Sequence, residues 1–152
     1  MATVEVTFTP LPAHVRTARL VATAVARRSG VDEALLDEVR LAVGEACSRA
    51  VEAHRRHCPA EPVKIEMTDQ DERFIVVVSD HAPTSTAAPA GANGHSVSQG
   101  AAPALVQGVD AAGIPAGFGL AVISGLADDV HVSSTSSGVS VRMSWPSAAP
   151  TA

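Results

Sequence analysis

Leu35, Leu36, Val39, Ala42, Val43, Ala46 and Ala50 recur at i, i+3, i+4 and i+7 spacing. That stripe predicts a long amphipathic helix with one face in a core. Asp32 is its expected N-cap, and Glu33 suits the dipole of the first turn. The helix is expected to end near His57, before Pro59.

The segments around it complete a pattern. Residues 3–9 alternate apolar and polar side chains, which predicts a strand with one buried face. A first helix is expected from about His14 to Ser29. Val15, Ala18, Ala22 and Val25 lie on one side, Arg16, Thr23 and Arg27 on the other, and Gly30 stops it. Val63 to Thr68 and Phe74 to Ser79 read as two strands joined by the acidic turn Asp69-Gln70-Asp71-Glu72. The second of these, FIVVVS, is apolar on both faces, as a central strand is.

Residues 81–116 are rich in Ala, Gly, Pro and Ser and lack periodicity. So long a stretch inside one domain reads as a functional lid or an insertion. From Gly117, GFGLAVISGLA predicts a buried helix. VHVSS and VSVRMSW predict a hairpin turning at Ser136-Ser137-Gly138. Residues 147–152 read as a flexible tail. Two consecutive helices and several hairpins predict an α/β two-layer sandwich. Its sheet is expected to be mixed and mostly antiparallel, with the helices on one face. The 152 residues form a single domain over 1–146 in this reading.

Composition narrows the function classes. The net charge is -5 with no basic stripe, which argues against direct nucleic-acid binding. No apolar run approaches the roughly 20 residues of a membrane span. The start has no basic n-region followed by a long apolar run, so no signal peptide is read and the cytoplasm is the expected location. Cys47 and Cys58 do not make a disulfide framework. Lys64 is the sole lysine. A P-loop needs Gly-Lys-Ser/Thr, which is absent, and the protein-kinase HRD and DFG motifs are absent too.

Three segments carry candidate chemistry. Glu45, Ser48, Arg49 and Glu52 share a face of the second helix. Asp80 ends the buried strand Val77-Val78-Ser79. Gly117-Phe118-Gly119-Leu120 opens a helix, where glycines permit close approach and the N-terminus favours an anion such as phosphate. Separately, each has a bland account as a solvated face, a turn residue or a common dipeptide spacing. His54, His57 and Cys58 offer too few ligands for structural zinc.

Together these segments resemble the anti-sigma factors with serine kinase activity, a family with the GHKL (Bergerat-type) ATP-binding fold. EACSRAVEAH, from Glu45 to His54, is similar to the family's N-box, E-A-x-x-N-A-x-x-H. Asp80-His81-Ala82-Pro83 is similar to the start of its first glycine box. GFGLAVISGLADDVHV is similar to its second. The resemblance implies roles for particular residues. Glu45 would be the general base toward a serine hydroxyl, and Asp80 would accept from the adenine amine. Gly117 and Gly119, with Phe118 and Leu120 beside them, would meet the phosphates. Ala82 and Arg49 would also lie at the nucleotide. Arg19, with Arg16 nearby, would contact protein partners. Those partners would be a STAS-domain anti-anti-sigma factor and a sigma factor, with a homodimer possible. ATP and Mg²⁺ would be the cofactors.

The chain departs from the pattern in three places. Arg49 stands where the family has its Mg²⁺-binding asparagine, and arginine offers donors only. Ala82 stands where the family has glycine, which would cost energy at positive φ. No Lys or Arg occurs between Arg73 and Arg142, so the lid offers a phosphoryl group no permanent cation. Arg49 has three readings at this stage: contact with a phosphate, a pair with Glu45 one turn earlier, or a solvated charge. The expected function is an anti-sigma-type regulator with a degenerate ATP site. The alternative is an active serine kinase acting on the anti-anti-sigma partner. A stand-alone histidine-kinase ATP domain fits less well, because no dimerisation helix pair is present.

Overall fold

The computed structural model describes residues 2–82 and 118–148. Strand β1 spans Ala2–Phe8 and helix α1 spans Pro12–Arg28. A short 3₁₀ turn, Glu33–Leu35, leads into helix α2, Leu36–His57. Strands β2, Val63–Gln70, and β3, Arg73–Ser79, follow. Helix α3 is Phe118–Leu126, and β4, Asp129–Thr135, and β5, Gly138–Pro146, complete the order. The expected elements are all present, with bounds within three residues of the expectation.

Local chemistry accounts for the boundaries. Pro12 sits at the start of α1, where a missing N–H costs nothing. Gly30 at φ 89° ends that helix. The Gly30 and Val31 amides return to the Arg27 and Ala26 carbonyls at 3.2 and 3.0 Å, a Schellman closure. The Asp32 carboxylate accepts from the Ala34 amide at 2.8 Å, so it caps the 3₁₀ turn and not α2, whose own N-cap, Leu35, makes no side-chain bond; the 3₁₀ turn takes the first residues expected of the helix. The β2–β3 turn is tight: Asp71 and Glu72 both take positive φ, 53° and 59°. That pair of dihedrals matches the twist of a two-residue hairpin.

The sheet order is β1-β2-β3-β5-β4. Each of its four pairings is antiparallel, so the described sheet contains no parallel pair. β3 is central, as its two apolar faces predict. β1 is an edge, and Val4 therefore stays 37% exposed despite pointing to the helix side. Val39, Val43 and Ala46 of α2 are buried with Ile65, Met67, Phe74, Val76 and Met143 of the sheet. Burying a Val or Ile side chain is worth about 1.5–3 kcal/mol, so this layer contact dominates stability. Trp145 closes the core beside Phe74, and its indole N–H donates to the Leu126 carbonyl at 3.1 Å. That bond ties the end of α3 to β5. No helix among the described residues is long and apolar enough to cross a membrane.

Candidate functional site

α2 carries two different polar surfaces. Glu45 and Ser48 are exposed and line a cleft of about 410 Å³ with Arg19, Leu41, Gly44 and residues of α3. Arg19 crosses Gly44 so closely that a Cβ there would sit 2.6 Å from Arg19 Cδ. The absent side chain at Gly44 is what lets the arginine lie along α2. Arg19 is half-buried, whereas Arg16 on the same helix is exposed.

Arg49 points elsewhere. Its Nη1 donates to Asp80 Oδ2 at 3.3 Å. The Asp80 side chain is 2% exposed and that of Arg49 is 29% exposed. None of the three sequence readings of Arg49 included this partner. No Arg49–Glu45 pair forms among the described residues, and the Arg49 side chain is only partly solvated. The physical reason is that a buried carboxylate attracts a guanidinium more strongly than the exposed Glu45 one turn away.

The Asp80 carboxylate accepts from two backbone amides as well as from Arg49. Its Oδ1 accepts from the Ala82 amide at 3.1 Å and from the Val139 amide at 3.2 Å. Its own amide donates to the Val139 carbonyl at 2.9 Å. The start of β5 is thus clamped to the end of β3. Gly138, at φ 150°, makes this approach possible, because a Cβ there would overlap the Asp80 carbonyl oxygen. Ala82 is 4% exposed and does not take positive φ, so the expected cost of replacing glycine is absent. Its amide instead closes a turn onto the Asp80 carboxylate.

His54 supports the same turn from α2. It is fully buried. The His81 amide donates to Nε2 at 2.8 Å, so the ring hydrogen lies on Nδ1 and donates to the Glu61 carbonyl at 2.8 Å. Both ring nitrogens are held by backbone, which fixes the tautomer. His54 and Arg49 therefore hold residues 80–82 against α2 from two points.

Phe118, Gly119 and Leu120 open α3, at the expected helix start. Gly117 and residues 83–116 of the lid expected over 81–116 lie outside the described residues, as do the last four residues of the tail. The magnesium position does not fit the ion. Arg49 presents N–H donors there, and they are aimed at a carboxylate.

The histidine kinase-like ATPase domain matches residues 8–145. This chain belongs to that ATPase family. A crystal structure of the RsbU and RsbW domains of Rv1364c from Mycobacterium tuberculosis has a similar fold, with a TM-score of 0.65 at 14% identity. The likeness covers 99% of this chain and 34% of that one, so the chain spans about a third of its length. The chain has no match among curated proteins.

For an ATPase-family chain, two features here are not legible as motifs. Gly138 and Val139 seat Asp80 from 58 and 59 positions away, and the signal available was only a turn glycine. The Arg49–Asp80 pair joins two motif positions 31 residues apart. Motif matching treats those positions as independent.

Proposed function

We propose that this chain is an anti-sigma-type regulator whose main act is holding a protein partner, with its nucleotide site closed by its own side chains. One observation carries the reading: Arg49 pairs with Asp80, the residue that the family resemblance assigns to the adenine amine. A nucleotide base there would have to displace a charge-assisted bond to a buried carboxylate. The family membership and the similar fold support the setting. The partners are a STAS-domain anti-anti-sigma factor or a sigma factor, reached through Arg19 and Arg16. Calorimetric titration of the wild-type chain and of Arg49→Asn with ATP, with and without Mg²⁺, tests it. The wild type is expected to bind weakly or not at all, and Arg49→Asn to bind at least tenfold more tightly. Tight Mg-ATP binding by the wild type would sink the closed-site reading. Failure to bind any STAS protein or sigma factor in pull-downs would sink the partner reading.

A working serine kinase is the second reading. Glu45 favours it: the carboxylate is exposed at the cleft and has no ion pair among the described residues. Such a carboxylate is available to take a proton from a serine hydroxyl. Radiolabel transfer from ATP to a STAS partner, lost in Glu45→Gln, is the outcome that would establish it.

A further inference from the structure

The cleft that holds Glu45 is one half of a longer groove along α2. A second cavity, of about 280 Å³, continues it toward Pro12 and Arg55. Arg19 and Ser48 line both halves. The first half follows α2 from Leu41 to Ser48 and the second from Ser48 to Arg55, so their centres lie about seven residues, or about 10 Å, apart. Leu41 remains 48% exposed in the first half, and Leu20, next to Arg19 on α1, 57%. Exposed apolar side chains of this size beside a groove mark it as a contact surface.

Polarity changes along the groove. The first half is walled by Leu41, Val122 and Leu126, and its carboxylate, Glu45, has no ion pair among the described residues. The second half holds the guanidinium groups of Arg19 and Arg55. Its carboxylate, Glu52, is already held by Arg56 at 3.6 Å. Neither Arg19 nor Arg55 has an ion pair among the described residues, and Arg19 is half-buried. A guanidinium withdrawn from water without a counter-ion costs free energy that an incoming carboxylate recovers. The chain as a whole carries a net charge of -5, so this basic end is a local reversal of sign. It draws an acidic group to one place and the rest of the surface repels it. We propose that the groove takes one amphipathic helix of a protein partner, with a large apolar residue in the half beside α3 and an Asp or Glu seven positions away, between Arg19 and Arg55. Seven positions keep both side chains on one face of the incoming helix. The opposite placement brings the acid onto Glu45 and is rejected by like charge. Arg55 is thus a second charged anchor beside Arg19. The proposal rests on the partner-holding reading above, and not on the closed nucleotide site.

A display library of helix-biased peptides about 20 residues long, selected against the full chain, tests it. Enriched peptides are expected to pair a large apolar residue with Asp or Glu seven positions away. By fluorescence anisotropy they should bind Arg55→Glu and Leu41→Asp at least tenfold more weakly than the wild type. Arg55→Lys should recover part of the loss, and Arg28→Glu, exposed at the far end of α1, should bind as the wild type does. Arg55 is exposed, so Arg55→Glu should keep the wild-type circular dichroism spectrum and melting temperature. Peptides enriched without the spaced acid overturn the proposal. So does a selection that enriches none, or binding indifferent to Arg55→Glu in a folded chain. A STAS protein or sigma factor that binds the chain and ignores Arg55→Glu sinks the groove and leaves the partner reading standing. Peptides that behave as expected, with no binding of either protein, do the reverse.

Discussion

Arg49 and Asp80 meet at 3.3 Å although one belongs to the middle of α2 and the other to the end of β3. The carboxylate is nearly sealed and the guanidinium is mostly so, and Asp80 also holds two backbone amides. Arg49→Ala would remove the charged donor and leave the amides in place. We expect a loss of about 1–3 kcal/mol, the cost of a buried acceptor losing one partner. Asp80→Ala should cost more, because the Ala82 and Val139 amides then lose their acceptor as well. Guanidinium denaturation of both variants measures the difference; equal losses would show that Arg49 alone holds the turn.

Gly138 is the second point of control over Asp80. Its φ of 150° and the nearby Asp80 carbonyl both disfavour a side chain. Gly138→Ala should cost at least ~1–3 kcal/mol from backbone strain. At roughly 2–4 °C per kcal/mol for a chain of this size, the melting temperature should fall by several degrees. Gly125→Ala is the control, since nothing lies within 4 Å of a Cβ there. It should match or exceed the wild type, because alanine favours a helix.

Gly44 offers a test of Arg19 without touching its charge. A methyl group there would displace the Arg19 side chain, which is flexible enough to move at little cost to folding. Gly44→Ala should therefore keep the melting temperature within a few degrees while weakening partner binding as Arg19→Ala does. A Gly44→Ala chain that binds its partner as the wild type does would show that the position of Arg19 along α2 is irrelevant to binding.

The cysteines differ in reactivity. Burial pushes the Cys47 thiol up to about 12 from the ordinary 9.0, with Arg19 opposing the shift. Cys58 is raised too, by burial first and then by Glu61. At neutral pH a disulfide dye should label Cys58, slowly, and reach Cys47 only after unfolding. The raised Cys47 value also sets a pH dependence. Both states bind the thiol proton below pH 9, so stability is unaffected there. Above pH 9 the unfolded state releases it first, and stability falls as pH rises toward 12. The slope approaches about 1.4 kcal/mol per pH unit, one proton's worth. With no tyrosine and one lysine in the chain, few other groups titrate in that window. Cys47→Ala should flatten the alkaline loss, and an unchanged slope would assign it elsewhere.

Most of the fold was legible because its cause is local. The α2 stripe, the alternation in β1 and the double-sided apolarity of β3 each follow from which side chains must leave water. The Asp32 cap and the Gly30 stop follow from hydrogen-bonding groups within five residues. The edge position of β1, and hence the exposure of Val4, was not legible, because strand order depends on contacts between distant segments.

The sequence by itself determined the elements, the layer architecture and the positions where Glu45, Arg49 and Asp80 would fall. Only the tertiary structure decided whom Arg49 serves. From the sequence the carboxylate weighed as its partner was Glu45, one helical turn away, which the structure leaves exposed. The fold instead brings Asp80 beside it and removes that carboxylate from water, and a buried charge draws a guanidinium far more strongly than a solvated one. Which partner wins depends on burial, and burial is set by the assembled layers rather than by spacing along the chain.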